Sequence, residues 1–273
     1  MSSSENPNAA ELEHLSAFAH KLADLSEQSI LPYFRRRFEV QNKAQSGPFD
    51  PVTEADLKAE KTIREAIAEA FPDHGIIGEE FGAEGADAAK CWVIDPIDGT
   101  KSFVTGSPLW GTLIGLLESG KPQLGLMNQP FTGERYWSDG RGAYGRNRVT
   151  GEKPLETRRC TNLSDAVMTT TSIDLLEPGF ERERFGALSE HIRMRRFGGD
   201  CYAYCLLAAG QIDLVVETGL NPHDIVALIP IIEHAGGTVS QWDGGDAARG
   251  GRIVAAGDTK LHAAAVDILT RRN

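Results

Sequence analysis

Residues Cys91–Phe103, CWVIDPIDGTKSF, decide the reading of this chain. The apolar run Cys91–Ile94 has the length and composition of a buried strand, and it ends in two carboxylates, Asp95 and Asp98, set around Pro96. A kinked stretch of this kind lets both acids point into one small volume and exposes the backbone carbonyl of Ile97 beside them. Hard divalent cations such as Mg²⁺ prefer sets of several oxygen ligands. Gly99 allows a sharp turn into the next segment. If a helix starts there, the free N–H groups of Gly99 and Thr100 form an anion-binding site next to the cations. Taken alone, the same letters also describe a polar turn that closes a strand.

Three further acidic positions surround this stretch. Glu79 and Glu80 end the preceding strand, GIIGEE, where two acids are otherwise an ordinary solvated pair. Thr53 and Asp56, in VTEAD, open a helix, a place where a hydroxyl cap and a first-turn acid are common without any chemistry. Asp224 begins a helix running into IIEHAGG, again a normal place for a carboxylate. The ordered set is more informative than any member.

The rest of the chain supplies the frame. Leu12, Leu15, Phe18, Leu22 and Leu25 recur at helical spacing, with Pro32 near the end, and Arg35, Arg36 and Arg37 read as a solvated run opposing the helix dipole. Lys43–Pro51 reads as a loop, and Ile63, Ile67 and Phe71 form one face of a second helix that Pro72 stops. Strands are expected at Gly75–Gly78, Cys91–Ile94, Leu109–Leu117, Gln123–Met127, Arg135–Ser138 and Ala143–Tyr144, in an antiparallel sheet. Beyond a seam near Thr150–Thr161, strands at Val167–Thr170, Met194–Phe197, Ile212–Val216, Thr238–Gln241 and Ile253–Ala256 alternate with helices at Glu181–His191, Tyr202–Ala209, His223–Ala235 and from Thr259 onward. This order predicts an α+β half over 1–150 and an α/β half over 151–273.

Composition removes several classes. At 273 residues, with 41% hydrophobic and 25% charged residues, the chain has globular averages and is long enough for one large domain or two joined halves. The formal net charge of −11 and the absence of a basic stripe argue against nucleic acid as a partner. No apolar run reaches the length of a membrane span, and the start MSSSENPNAAELE lacks the features of a signal peptide, so a cytoplasmic location is expected. Four scattered cysteines and seven unpaired histidines favour neither a disulfide framework nor zinc. An acidic protein needs metal ions or a nest of N–H groups to bind an anionic ligand.

VTEAD, then GEE, then DPIDGT, then an Asp opening a helix that ends in AGG resembles the inositol monophosphatase family of metal-dependent sugar phosphatases over nearly the whole chain. The resemblance implies a layered αβαβα sandwich, usually a homodimer, that hydrolyses small-molecule phosphate monoesters with two or three Mg²⁺ ions, with Mn²⁺ as a substitute, and is sensitive to Li⁺. By that likeness Glu79, Asp95 and the Ile97 carbonyl hold one metal, and Asp95, Asp98 and Asp224 a second. Thr100, paired with Asp56, orients the attacking water. Lys43 matches a lysine of a mobile loop that assists a further metal, and the Gly99 and Thr100 N–H groups hold phosphate. One departure is His223, where the family commonly has Trp, which makes Asp224 a less secure ligand than Asp95 and Asp98.

The continuation GTKSF differs from the GTTNF typical of the inositol enzymes and looks like the histidinol-phosphate phosphatase branch, which acts in histidine biosynthesis. FGGDCYAYCLLAAGQIDLVVETGLNPHDI extends that likeness. Histidinol phosphate carries an ammonium and an imidazole, so acids beyond the phosphate site favour it over a neutral polyol. Asp200 and Glu217 are the candidates, against a plain reading of capping or surface charge. An inositol or broad sugar phosphatase, a phosphoadenosine phosphatase and a non-catalytic regulatory module are the competing functions.

Overall fold

The computed structural model describes residues 7–37, 40–42 and 51–271. The chain opens with α1 (Pro7–Ile30), followed by the short antiparallel pair β1 (Val40–Asn42) and β2 (Pro51–Thr53) and by α2 (Glu54–Ala70). Next come β3 (Gly75–Gly78), β4 (Gly82–Glu84), β5 (Lys90–Asp98), the short α3 (Thr100–Thr105), β6 (Gly111–Glu118), β7 (Lys121–Gln129), β8 (Glu134–Ser138), β9 (Ala143–Asn147) and β10 (Gly151–Pro154). The second half runs β11 (Val167–Thr170), α4 (Phe180–Ser189), β12 (Met194–Phe197), α5 (Asp200–Ala208), β13 (Leu214–Leu220), α6 (Pro222–Ile225), α7 (Leu228–His234), β14 (Thr238–Gln241), β15 (Gly251–Ala256) and α8 (Thr259–Thr270).

Side-chain alternation along the strands turns these elements into layers. In the eight-stranded sheet, ordered β10-β9-β8-β7-β6-β5-β3-β4, Ile114, Leu126 and Trp137 pack with Leu15, Leu22 and Ile63 of α1 and α2. Their neighbours Leu113, Met127 and Tyr136 face the other way, onto Leu207 of α5 and Ile231 of α7. That second layer also receives Val215, Ile253 and Ala255 from the five-stranded sheet, ordered β12-β11-β13-β15-β14. The opposite residues Leu214, Val216 and Val254 meet Phe185 of α4 and Leu261 of α8. The period of two along each strand thus yields a helix–sheet–helix–sheet–helix sandwich.

Several details differ from the sequence reading, beginning with the first-half sheet, which is antiparallel except that β3 runs parallel to β5. The stretch read as one helix from His223 is two, because Pro230 has no N–H to offer the carbonyl of the preceding turn and is accommodated only near the start of a new helix. Strands β4 and β10, exposed and polar, carry no hydrophobic alternation to announce them. β10 pairs with β9, so the large sheet runs past Thr150 and the passage to the second half comes at 155–161. Arg35 lies beyond the end of α1 with φ of 58°; it is exposed, as expected, but also engaged, since its Nε donates to Gly106 O at 3.0 Å and its guanidinium lies 4.4 Å from the Phe131 ring centroid. All four cysteines are free and buried, and among the described residues no helix is long and apolar enough to cross a membrane.

Candidate functional site

The site is made by a defect in β5. Residues three apart on a regular strand face opposite sides of the sheet, which would separate Asp95 from Asp98. Here Asp95 pairs with Leu113 while Asp98 pairs with Gly111, so three steps on β5 match two on β6. The extra residue is a β-bulge, which re-aims the following side chain and tolerates Pro96 within the strand. Asp95 Oδ1 accepts the Ile97 N–H at 3.0 Å and Thr112 Oγ1 donates to Pro96 O at 2.8 Å, which fix the kink. The two carboxylates now share one side.

Asp224 completes the cluster from the second half. It is the third residue of α6, where its Oδ2 accepts the Asn221 N–H at 2.6 Å in a capping box, and α6 packs against β5. Carboxylate oxygens of Asp95, Asp98 and Asp224 all lie within 4.8 Å of one another. Burial first, and then Glu79, Asp98 and Asp224, push Asp95 well above the usual carboxylate range, and Glu79 shares a side-chain hydrogen bond with it. Burial, followed by repulsion from Asp200 and Asp224, likewise raises Asp98, although its Oδ2 accepts the Cys201 N–H at 2.6 Å. Asp224 is raised by burial against the lowering effect of His223, whose Nε2 is 3.4 Å from Asp224 Oδ1. One buried and two half-buried acids that resist ionising together, offering only oxygen, are the donor set a hard divalent cation fits.

The cluster faces a cleft of about 340 Å³ whose wall includes Glu79, Thr100, Lys101, Asp200, Glu217 and Asp224. Gly99 has φ of 85° and caps α3, which Phe103 anchors in the core beneath. Thr100 Oγ1 donates its one proton to the Ile97 carbonyl at 3.1 Å, and not to Asp56 as the expected pairing has it. Asp56 is buried at the start of α2, where its Oδ2 accepts from the Thr53 N–H at 2.9 Å and the Thr53 hydroxyl at 2.5 Å; β2, just before it, packs against α3. Lys43 lies outside the described residues.

Asp200 and Glu217 both reach the cleft, in different circumstances. Glu217 is 3% exposed and pushed by burial to about 7, and it accepts from Thr171 N at 2.7 Å, Thr171 Oγ1 at 3.0 Å and Thr170 Oγ1 at 3.4 Å. It therefore ties the end of β11 to β13. Asp200, raised by burial to about 6, takes only the Ser102 hydroxyl, at 3.2 Å, among its described hydrogen bonds.

Two residues escaped the sequence reading. Glu60 is fully buried and accepts the backbone N–H of Glu80 at 2.7 Å and of Phe81 at 3.2 Å, holding the turn that presents Glu79. Its signal was present, as a Glu one helical turn beyond Asp56. Tyr204 is 2% exposed, with a buried hydroxyl that has no protein partner, and belongs to the cleft wall; nothing in its apolar helix segment marked it.

Comparison with known proteins places these features in a wider set. The inositol monophosphatase family model matches residues 11–272. The chain is 41% identical over 98% of its length to a bifunctional phosphatase, IMPL2, chloroplastic, of Arabidopsis thaliana, covering 79% of that protein. It is 37% identical over 82% of its length to a histidinol-phosphatase of Mycobacterium tuberculosis, covering 85% of that protein. An inositol monophosphatase structure from Zymomonas mobilis superimposes with a TM-score of 0.83 at 38% identity, covering 95% of this chain and 98% of that one.

Proposed function

The chain belongs to the inositol monophosphatase family and is a phosphatase, and from that premise we propose that it is a Mg²⁺-dependent hydrolase of histidinol phosphate. Glu79, Asp95 and the Ile97 carbonyl would hold one ion, and Asp95, Asp98 and Asp224 another. Bound there, divalent cations would neutralise the phosphate and acidify water. The chain's own groups do the remainder. The first N–H groups of α3, at Gly99 and Thr100, receive phosphate oxygens, and Thr100 with Asp56 aligns a water in line with the leaving oxygen. Thr100 has one hydroxyl proton, directed at Ile97 O; its lone pairs are left to accept from that water.

The observation that carries the substrate assignment is Asp200, a carboxylate on the wall of the same cleft, which would favour a cation on the alcohol half of the ester. Glu217 adds negative potential to the same wall, although Thr170 and Thr171 already engage it. That engagement favours a second reading, an inositol or broad sugar phosphatase, in which Glu217 serves the fold alone. Phosphate release measured across histidinol phosphate, inositol 1-phosphate, fructose bisphosphate and phosphoadenosine phosphate decides between them. A kcat/KM for histidinol phosphate at least tenfold above the others supports the assignment, preference for an inositol phosphate supports the second reading, and no turnover of any ester with Mg²⁺ would point to a regulatory module. The family likeness also underlies the expectation of a homodimer, which light scattering on the eluting protein tests.

A further inference from the structure

We propose that Ser102 is a specificity-positioning residue, holding the Asp200 carboxylate over Gly99 so that it faces the cationic half of the substrate. The inference rests on the substrate role of Asp200 proposed above and assigns a task to a residue outside the cleft wall. Asp200 opens α5 with φ of 44°, one of three described non-glycine residues in the left-handed region, after Gly198 at 83° and Gly199 at 134°. Asp tolerates that conformation better than most residues but seldom adopts it without cause. Its effect here is to turn the side chain off its own helix and across to α3. The carboxylate accepts from Ser102 Oγ at 3.2 Å, and its Cγ and Oδ2 lie 3.1 Å from where a Cβ on Gly99 would stand.

The competing partner is Lys101, on the same short helix and exposed at the cleft, whose charge already acts on Asp200. A flexible carboxylate beside an exposed ammonium can swing out and pair with it, losing its aim at the ligand. The Ser102 side chain is shorter and stiffer than that of lysine, and Ser102 is half-buried where Lys101 is exposed. It holds Asp200 in one geometry without cancelling its charge.

The test compares Ser102→Ala, Ser102→Thr, Asp200→Asn and the Ser102→Ala/Asp200→Asn double variant on histidinol phosphate and on glycerol 2-phosphate, a neutral-alcohol ester, at saturating Mg²⁺. Ser102→Ala should lower the ratio of the two kcat/KM values roughly threefold to tenfold, the size of one hydrogen bond, mainly through KM for histidinol phosphate. Ser102→Thr, which keeps the hydroxyl, should restore most of that ratio, and in the Asp200→Asn background Ser102→Ala should change it no further. If Asp200→Asn lowers the ratio and Ser102→Ala does not, or the two effects add, the positioning role is wrong while the reading of Asp200 survives. If Asp200→Asn leaves the ratio unchanged, that reading itself fails and Ser102 falls with it. A melting curve for each variant separates either result from loss of fold.

Discussion

Glu60 Oε2 accepts the backbone N–H of Glu80 at 2.7 Å, from one helix face to the turn after the neighbouring strand. Its other oxygen takes the Phe81 N–H at 3.2 Å and Arg64 Nε at 2.7 Å, and Arg64 also donates to Gly82 O. A buried carboxylate thus satisfies two loop donors and one cation, and Gly78 is bare because a Cβ there would come within 1.9 Å of Glu60 Oε1. Glu60→Gln can keep only part of this, since an amide nitrogen cannot accept. It should cost about 1–3 kcal/mol of stability and weaken Mn²⁺ binding measured by calorimetry, because the turn presenting Glu79 loosens. Unchanged affinity with unchanged melting would show that the turn holds its shape without the carboxylate.

The acidic cluster sets the pH dependence of the metal-free protein. Asp95 and Asp98 have folded-state pKa values above their unfolded ones, so the fold binds more protons than the open chain. Stability is then fully present at low pH and falls as pH rises through the folded values. EDTA-treated protein should melt at a lower temperature at pH 8 than at pH 5.5, and saturating Mg²⁺ should remove or reverse that difference. Asp98→Asn retains an acceptor for the Cys201 N–H while deleting a charge. It should raise the melting temperature of the EDTA-treated protein at pH 8 and lower phosphatase turnover by orders of magnitude. Full activity in excess EDTA would rule out the metal-dependent mechanism.

Thr100→Ala and Asp56→Ala should each reduce kcat more than Mg²⁺ affinity, and their effects should not add if they orient one water. Asp56→Ala has a second consequence, because Asp56 Oδ2 closes the capping box of α2 with Thr53. Loss of such a cap costs roughly 0.5–2 kcal/mol, so this variant should melt early and Thr100→Ala should not. Full additivity in kcat would separate the two residues functionally.

How much of the fold and site was readable in advance depends on where the determining contact lies. β3, β11, β12 and β14 have the limits expected of them; for β3 and β11 the burial that fixes a strand is written locally, whereas β12 is exposed along its whole length. The convergence of Asp95 and Asp98 was expected from the proline kink, but its cause, a bulge, is a property of the register against β6 and exists only once Gly111 and Leu113 are in place. The plain readings of Thr53 and Asp56 as a helix cap and of Asp224 as a first-turn carboxylate also hold, and the two acids lie at or beside the site. Glu217 shows the opposite limit: nothing in LVVETGL reveals that Thr170 and Thr171 will occupy it. Pairings across dozens of residues are set by the layers, and local patterns carry no trace of them.

A histidine remote from the cleft should respond to pH in the opposite sense. His20 Nδ1 is 3.1 Å from Arg135 Nη1, and a guanidinium can only donate, so that nitrogen must carry a lone pair and the ring is neutral with its proton on Nε2. Arg135 is itself 4% exposed and fixed by Asn128 Oδ1 at 2.9 Å and Asp24 Oδ1 at 2.7 Å, so it cannot retreat. Burial, then Arg135 and Arg146, hold the His20 pKa down to about 4, from an ordinary value of 6.5. As pH falls below 6.5 the unfolded chain takes up a proton that the fold refuses, so this contribution to stability is lost between 6.5 and about 4. The acidic cluster acts with the opposite sign, so the measurement is a difference. The gap in melting temperature between wild type and His20→Gln, both in EDTA, should be largest near pH 7.5 because the glutamine loses the edge contact of the ring with Trp137. It should then narrow steadily toward pH 4.5. A gap that stays constant across that range would mean that His20 is protonated in the fold and that Arg135 has another acceptor.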